Sequence, residues 1–116
     1  MKKSFYYAFS GIKSAVHSER NLKIHFIIMT LIIIAGILFH ISSIEWLVCI
    51  IIFLFVICLE MVNTAIETVV DMAMPKIHPL AKKAKDIAAG AVLIAALGSI
   101  VAGSIIFLPK VISLFL

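Results

Sequence analysis

The stretch LEMVNTAIETVVDMAM, residues 59–74, places three acids and an asparagine directly after an apolar run that extends from Trp46 to Leu59. Hydrocarbon cannot solvate a carboxylate, so an ionised side chain inside a membrane segment is costly unless it is paired, hydrated or bound to a cation. Counted from the first acid, the other three polar side chains follow after three, seven and eleven residues, so all four fall within about 80° of arc on one helix face. They are Glu60, Asn63, Glu67 and Asp71. The stretch predicts a helix whose polar stripe descends from the membrane interior to its surface.

The overall composition also indicates a membrane protein. The chain has 116 residues, of which 64% are hydrophobic and 14% are charged, far from the values of ordinary soluble domains. Apolar segments cover about residues 24–39, 44–70 and 86–108, and roughly 20 residues of helix span the hydrocarbon core. The first segment is marginal in length. We therefore expect an all-α integral membrane protein, a single domain over residues 1–116, with three transmembrane helices.

A further helix is predicted ahead of these segments, over about residues 4–20. Apolar side chains recur there at helical spacing, at Phe5, Phe9, Ile12 and Val16. This pattern is typical of an amphipathic helix that lies along the inner membrane surface. A simple membrane anchor would show the same pattern. The polar run from His17 to Asn21, at the point where the chain enters the bilayer, favours an additional role.

The basic residues predict the orientation of the chain. Nine of the ten Lys and Arg residues lie before the first apolar segment or between the second and third, and Lys110 lies beyond the third. Positive flanking segments stay on the cytoplasmic side, so the N-terminus is expected to be cytoplasmic and the C-terminus external. The net charge of +4 reflects this asymmetry and the anionic lipid headgroups. We predict no nucleic-acid partner.

The acidic stripe has several possible explanations. Asp71 by itself could be a solvated charge at a helix end. An ion path would need polar partners that continue across the membrane, but the chain from Trp46 to Cys49 is apolar. A polar cluster confined to the cytoplasmic side suits an enzyme that takes a water-soluble donor from the cytoplasm and an acceptor from the lipid. A small oligomeric channel or scaffold subunit remains the non-enzyme alternative.

The residue types suggest how such an enzyme would bind its donor. Oxygen ligands suit Mg²⁺, which usually binds through one or two carboxylates together with substrate phosphates. Lys82, Lys83 and Lys85 follow the acidic stripe in the chain and could hold nucleotide phosphates. The sequence contains no GxxxxGK[ST] loop. Phosphoryl transfer would therefore depend on carboxylates, metal and lysine alone.

The segment EMVNTAIETVVD, from Glu60 to Asp71, resembles the signature of the prokaryotic diacylglycerol kinase family, small integral membrane kinases with three transmembrane helices. The resemblance extends to the amphipathic N-terminal helix, to Glu19 just before the first span and to AKD at residues 84–86. It implies a multi-pass protein of the bacterial inner membrane. It also implies a homotrimer with active sites built between subunits.

The same resemblance implies roles for individual residues. Glu19 and Glu67 are expected to hold magnesium and the ATP phosphates, and Glu60 is expected to be the general base for the lipid hydroxyl. Further residues implied in nucleotide binding are Tyr7, Asn63, Asp71, Lys85 and Asp86. The cofactor implied is Mg²⁺, with ATP as phosphoryl donor.

Two further segments concern the acceptor lipid. ERNLKIH at residues 19–25 and HPLAKKAKD at residues 78–86 resemble the Gram-positive branch of the family, whose members are similar to undecaprenol kinases. Diacylglycerol is the alternative acceptor, because each lipid offers one primary hydroxyl at the headgroup level. The branch resemblance favours undecaprenol.

Overall fold

The structure is a computed structural model that describes residues 2–116. These residues form four helices: α1 (Lys2–Ser18), α2 (Arg20–Leu38), α3 (Ser43–Ala73) and α4 (Pro79–Phe115). The last three are each long and apolar enough to cross a membrane. The all-α architecture with three candidate spans is therefore confirmed, as expected for a multi-pass membrane protein.

The N-terminal segment is helical, and it is separated from α2 by a single residue. Glu19 has extended backbone angles, φ −100° and ψ 115°, which end α1 and let α2 start in a new direction. α1 has no buried residue. Its placement on the membrane surface stays a prediction.

The turn between α2 and α3 is short and closed by local hydrogen bonds. His40 adopts a left-handed backbone conformation, φ 51°, which reverses the chain. Ser42 then caps α3: its hydroxyl accepts a hydrogen bond from the Glu45 amide at 3.1 Å, and its own amide donates to Glu45 Oε1 at 3.0 Å. This reciprocal capping box satisfies two amides that a helix start would otherwise leave unpaired.

The turn between α3 and α4 is shaped by two prolines, Pro75 and Pro79. α3 ends at Ala73, just before Pro75, and Pro79 occupies the first turn of α4, where the missing amide hydrogen is harmless. The His78 ring caps α4, because Nδ1 accepts a hydrogen bond from the Leu80 amide at 3.1 Å.

Within residues 2–116, α3 packs against each of the other three helices, whereas α4 packs on α3 alone. α3 and α4 run antiparallel, and one ion pair joins them at each end. Lys85 Nζ lies 2.8 Å from Asp71 Oδ1, and Lys110 Nζ lies 2.8 Å from Glu45 Oε2. The acids are about 39 Å apart along α3, and the lysines are about 38 Å apart along α4. Because the spacing of the acids on α3 matches the spacing of the lysines on α4, both ion pairs can form in one register of the two helices.

The chain buries few apolar side chains on its own. In the described part of the chain they are Leu22, Ile41, Val56, Ile57, Ala88 and Ile106. Because α2 and α4 do not pack on each other, a groove of about 560 Å³ opens between them with α3 as its floor. Its walls are almost entirely apolar. Most of the apolar surface is thus left for lipid or for other protein chains.

Gly36 of α2 is buried against the Trp46 ring of α3. A Cβ atom added to Gly36 would lie 2.6 Å from Cη2 and 2.8 Å from Cζ2 of the Trp46 ring. The ring is a rigid part of the neighbouring helix, so a methyl group there would push α2 and α3 apart.

We predict that Gly36→Ala lowers the free energy of unfolding by about 1–3 kcal/mol, the usual effect of overpacking. Thermal unfolding in detergent, followed by circular dichroism, measures the change. Gly11→Ala is the matched control, since nothing lies within 4 Å of the added atom and the substitution raises helix propensity. A Gly36→Ala protein as stable as the control would show that the close approach does not exist.

Candidate functional site

The polar stripe of α3 runs from buried to exposed along one helix face. Glu60 is 2% exposed and Asn63 is 8% exposed, although both are polar. Glu67 is half-buried, and Asp71, near the end of the helix, is exposed. The sequence therefore predicts the stripe correctly, and the structure adds that its two deepest members are covered by protein within one chain.

Glu60 is covered by two side chains from the first turns of α2. Asn21 Nδ2 donates a hydrogen bond to Glu60 Oε1 at 3.2 Å. His25 Nε2 faces Oε2 at 3.8 Å, which is too long for a hydrogen bond. Sequence interpretation did not assign either residue to the site. Asn21 ends the polar run noted at the membrane entry, and the spacing of four from Asn21 to His25 puts both side chains on one face where α2 enters its apolar segment.

The next pair along the stripe is Asn63 and Glu67. Asn63 Nδ2 donates a hydrogen bond to Glu67 Oε1 at 3.2 Å, across one helical turn. Asn63 Oδ1 is buried and has no hydrogen-bond partner among residues 2–116. A buried oxygen normally has a partner, so an unpaired one beside a carboxylate is where a further polar group would fit.

At the exposed end of the stripe, three of the predicted nucleotide-binding residues, Asp71, Lys85 and Asp86, are engaged in ion pairs. Lys85 Nζ donates a hydrogen bond to Asp71 Oδ1 at 2.8 Å, which joins the end of α3 to the start of α4. Asp86 pairs with Lys82 one turn away on α4. Lys82, Asp86 and Asp71 are largely exposed, whereas Lys85 is half-buried. An ammonium group has three donors, so Lys85 can hold Asp71 and still donate to another anion.

Two of the predicted site residues, Glu19 and Tyr7, do not take part in these contacts. Glu19 is half-buried at the junction before α2, and its side chain makes no capping hydrogen bond. Tyr7 is 67% exposed on α1, where its ring meets the edge of Tyr6. Within residues 2–116, no hydrogen bond or ion pair connects either side chain to the stripe on α3.

The donor set can be compared with the preferences of magnesium. No cluster of three or more His, Cys, Asp or Glu side chains with metal-binding geometry occurs in the described part of the chain. The Glu67 carboxylate and the unpaired Asn63 Oδ1 are nevertheless oxygen donors on one helix face. Mg²⁺ takes few protein ligands and fills its remaining positions with water and substrate phosphates. The residues present fit such an ion in chemical type.

A family model for prokaryotic diacylglycerol kinase matches residues 6–107 of this chain. The chain belongs to that family. The matched range contains all four stripe residues together with Lys82, Lys85 and Asp86 of α4. For this family member, the site is therefore part of the region that defines the family.

The relatives of this chain include an undecaprenol kinase and diacylglycerol kinases. It is 44% identical over 108 residues to the undecaprenol kinase of Bacillus subtilis, covering 93% of this chain and 88% of the relative. It is 41% identical over 112 residues to a diacylglycerol kinase of Synechocystis, covering 96% of this chain and 64% of that protein. A diacylglycerol kinase of Helicobacter pylori is 33% identical over 92 residues, or 79% of this chain and 72% of the relative. The similarity to the undecaprenol kinase supports the Gram-positive branch.

Proposed function

We propose that this protein is an ATP-dependent lipid kinase that phosphorylates the hydroxyl of undecaprenol at the cytoplasmic face of the bacterial inner membrane. The observation that supports this most directly is the buried Glu60 carboxylate at the head of an acidic stripe, in a chain 44% identical to an undecaprenol kinase. A carboxylate kept out of water but close to lipid is a suitable base for a lipid alcohol. The alternative acceptor is diacylglycerol, the substrate named for two of the relatives.

The chemistry assigned to the chain is transfer of the γ-phosphoryl group. The acceptor oxygen attacks the γ-phosphorus, the bond from that phosphorus to the β,γ-bridging oxygen breaks, and ADP leaves. Glu60 takes the hydroxyl proton, a role that requires it to be within hydrogen-bond reach of the acceptor. Because the buried carboxylate is fixed by Asn21, it needs no rearrangement to act.

The exposed part of the stripe is assigned to the nucleotide. Glu67 and Glu19 would hold magnesium, which neutralises phosphate charge when it is bound. Asn63 supplies the unpaired buried oxygen beside Glu67. Lys85 donates to phosphate oxygens while Asp71 keeps its ammonium group in place. Asp86 and Tyr7 complete the proposed nucleotide site.

The groove between α2 and α4 is assigned to the hydrocarbon chain of the acceptor. It is lined by apolar side chains of three helices, and His25 is part of its wall. Because His25 also faces Glu60, a lipid tail in the groove would bring its headgroup end to the proposed base. We further propose that the protein is a homotrimer, since each chain leaves large apolar faces uncovered.

The direct test uses purified protein in mixed detergent micelles with ATP labelled at the γ-phosphate. Undecaprenol and diacylglycerol are offered separately and together, and the lipid products are separated by thin-layer chromatography. We expect labelled undecaprenyl phosphate as the main product. A strong preference for diacylglycerol would overturn the acceptor assignment and leave the kinase chemistry intact. Absence of labelled lipid with either acceptor would favour the channel or scaffold alternative.

The carboxylates proposed to bind metal should be sensitive to amide substitution. Glu67→Gln and Glu19→Gln are each expected to abolish phosphorylation, because a neutral amide oxygen is a poor replacement for an anionic magnesium ligand. ATP affinity measured during a magnesium titration should fall in both variants. Glu67→Asp and Glu19→Asp, which keep an anionic oxygen, are the matched controls and should retain part of the activity. Near-normal activity of either Gln variant at ordinary magnesium concentrations would contradict the metal role.

Substitution of the proposed base, Glu60, should have a different effect. Glu60→Gln keeps an oxygen that can accept the Asn21 hydrogen bond but cannot take a proton, so the turnover rate should fall about a hundredfold or more. ATP affinity should stay unchanged. The measurement is a pair of assays, nucleotide binding at equilibrium and turnover at saturating ATP. Lost ATP binding with normal saturated turnover would assign Glu60 to the nucleotide site instead.

The orientation proposed from the basic residues can be tested in sealed vesicles. ATP added outside should phosphorylate lipid only in vesicles where the segment from Pro75 to Lys85 faces outward, because the acidic stripe opens on that side. Protease access to this segment establishes the orientation of each preparation. Equal activity in both orientations would contradict the proposed topology.

A further inference from the structure

The two α2 side chains beside Glu60 make different contacts with its two carboxylate oxygens. Asn21 hydrogen-bonds Oε1 at 3.2 Å and so holds the carboxylate in place. His25 approaches Oε2 but stops at 3.8 Å, which leaves a gap beyond hydrogen-bond length. The carboxylate therefore has one oxygen that is fixed and one that faces a possible hydrogen-bond donor across a space.

We propose that the acceptor hydroxyl binds beside this pair of atoms, with His25 as a substrate-binding residue and Asn21 as a residue that positions Glu60. The assignment rests on the kinase function proposed above. An oxygen about 2.8 Å from both His25 Nε2 and Glu60 Oε2 lies to one side of the 3.8 Å line between them, with an angle of about 85° at the oxygen, so one hydroxyl can contact both atoms.

A hydroxyl group has the donor and acceptor capacity that this position requires. It donates its single hydrogen to Glu60 Oε2 and accepts a hydrogen bond from Nε2–H of His25. As the new O–P bond forms and ADP leaves, the proton moves to Glu60 Oε2. His25 then stays hydrogen-bonded to the oxygen that has become the phosphate ester.

His25 and Glu60 differ in burial and in their relation to the apolar groove. The Glu60 side chain is 3% exposed and that of His25 is 21% exposed, so His25 is the more accessible partner. His25 also belongs to the wall of the apolar groove, whereas Glu60 does not. An alcohol whose tail occupies the groove thus meets His25 first and Glu60 behind it.

The test compares two substitutions of nearly equal size. His25→Met removes the N–H donor, and His25→Gln keeps one at a similar distance from the backbone. We expect His25→Met to raise KM for undecaprenol about tenfold, the effect of one lost hydrogen bond, and to leave KM for ATP unchanged. His25→Gln should restore most of the lost affinity. His17→Met, at an exposed position of α1, is the control.

Several results would overturn the assignment. A His25→Met protein with normal KM for undecaprenol would do so, as would a His25→Gln protein equally impaired. A wild-type protein that phosphorylates neither lipid would overturn the proposed function and this assignment together. An active wild type with an unaffected His25→Met variant would overturn the assignment alone.

Asn21 provides a second, independent measurement if the His25 variants fail to assemble. Asn21→Leu should lower kcat about tenfold in the wild-type background and should have no further effect in the Glu60→Gln background, because Asn21 acts through Glu60. A merely structural role would lower kcat in both backgrounds. Equal losses in the two backgrounds would overturn the positioning role of Asn21.

Discussion

The hydrogen bond from Asn21 to Glu60 is the contact on which the arrangement of this protein depends. A carboxylate that is 2% exposed inside an apolar helix is destabilising unless something satisfies it. Asn21 does so from a different helix, and Leu22, the next residue, is fully buried beside it. The start of α2 is thereby fixed against the middle of α3. The same contact leaves the second oxygen of Glu60 facing His25, which lines the groove.

The stripe on α3 combines two environments in one rigid element. Over about 16 Å, the side chains pass from the buried Glu60 to the exposed Asp71. The two proposed substrates, a lipid alcohol and a charged nucleotide, need opposite surroundings. A continuous helix that crosses from one environment to the other holds the two sets of residues at a constant separation. α4 contributes Lys85 at the exposed end of the stripe, beside Asp71.

Polar contacts at the ends of the helices, more than a large apolar core, define how the chain packs. Hydrocarbon solvates apolar side chains as well as a protein interior does, so burying them against each other gives little driving force in a membrane. The pairs Asp71–Lys85 and Glu45–Lys110 instead set the register of α3 and α4. The apolar surface that remains is consistent with the proposed trimer and with a groove open to a lipid tail.

Much of the fold was determined by local features of the sequence. Hydropathy predicts the three spans, and two prolines favour the turn between α3 and α4, because these effects act within a few residues. The helical period likewise places Glu60, Asn63, Glu67 and Asp71 on one face without reference to any other part of the chain.

Only the tertiary structure decided which residues meet that face. Asn21 lies 39 positions from Glu60, and Lys110 lies 65 positions from Glu45. The close approach of Trp46 to Gly36 likewise follows from how two helices cross. A helical period specifies the direction of a side chain around its own axis. It does not specify the crossing or the register of a second helix, and these determine which residue of α2 or α4 lies opposite.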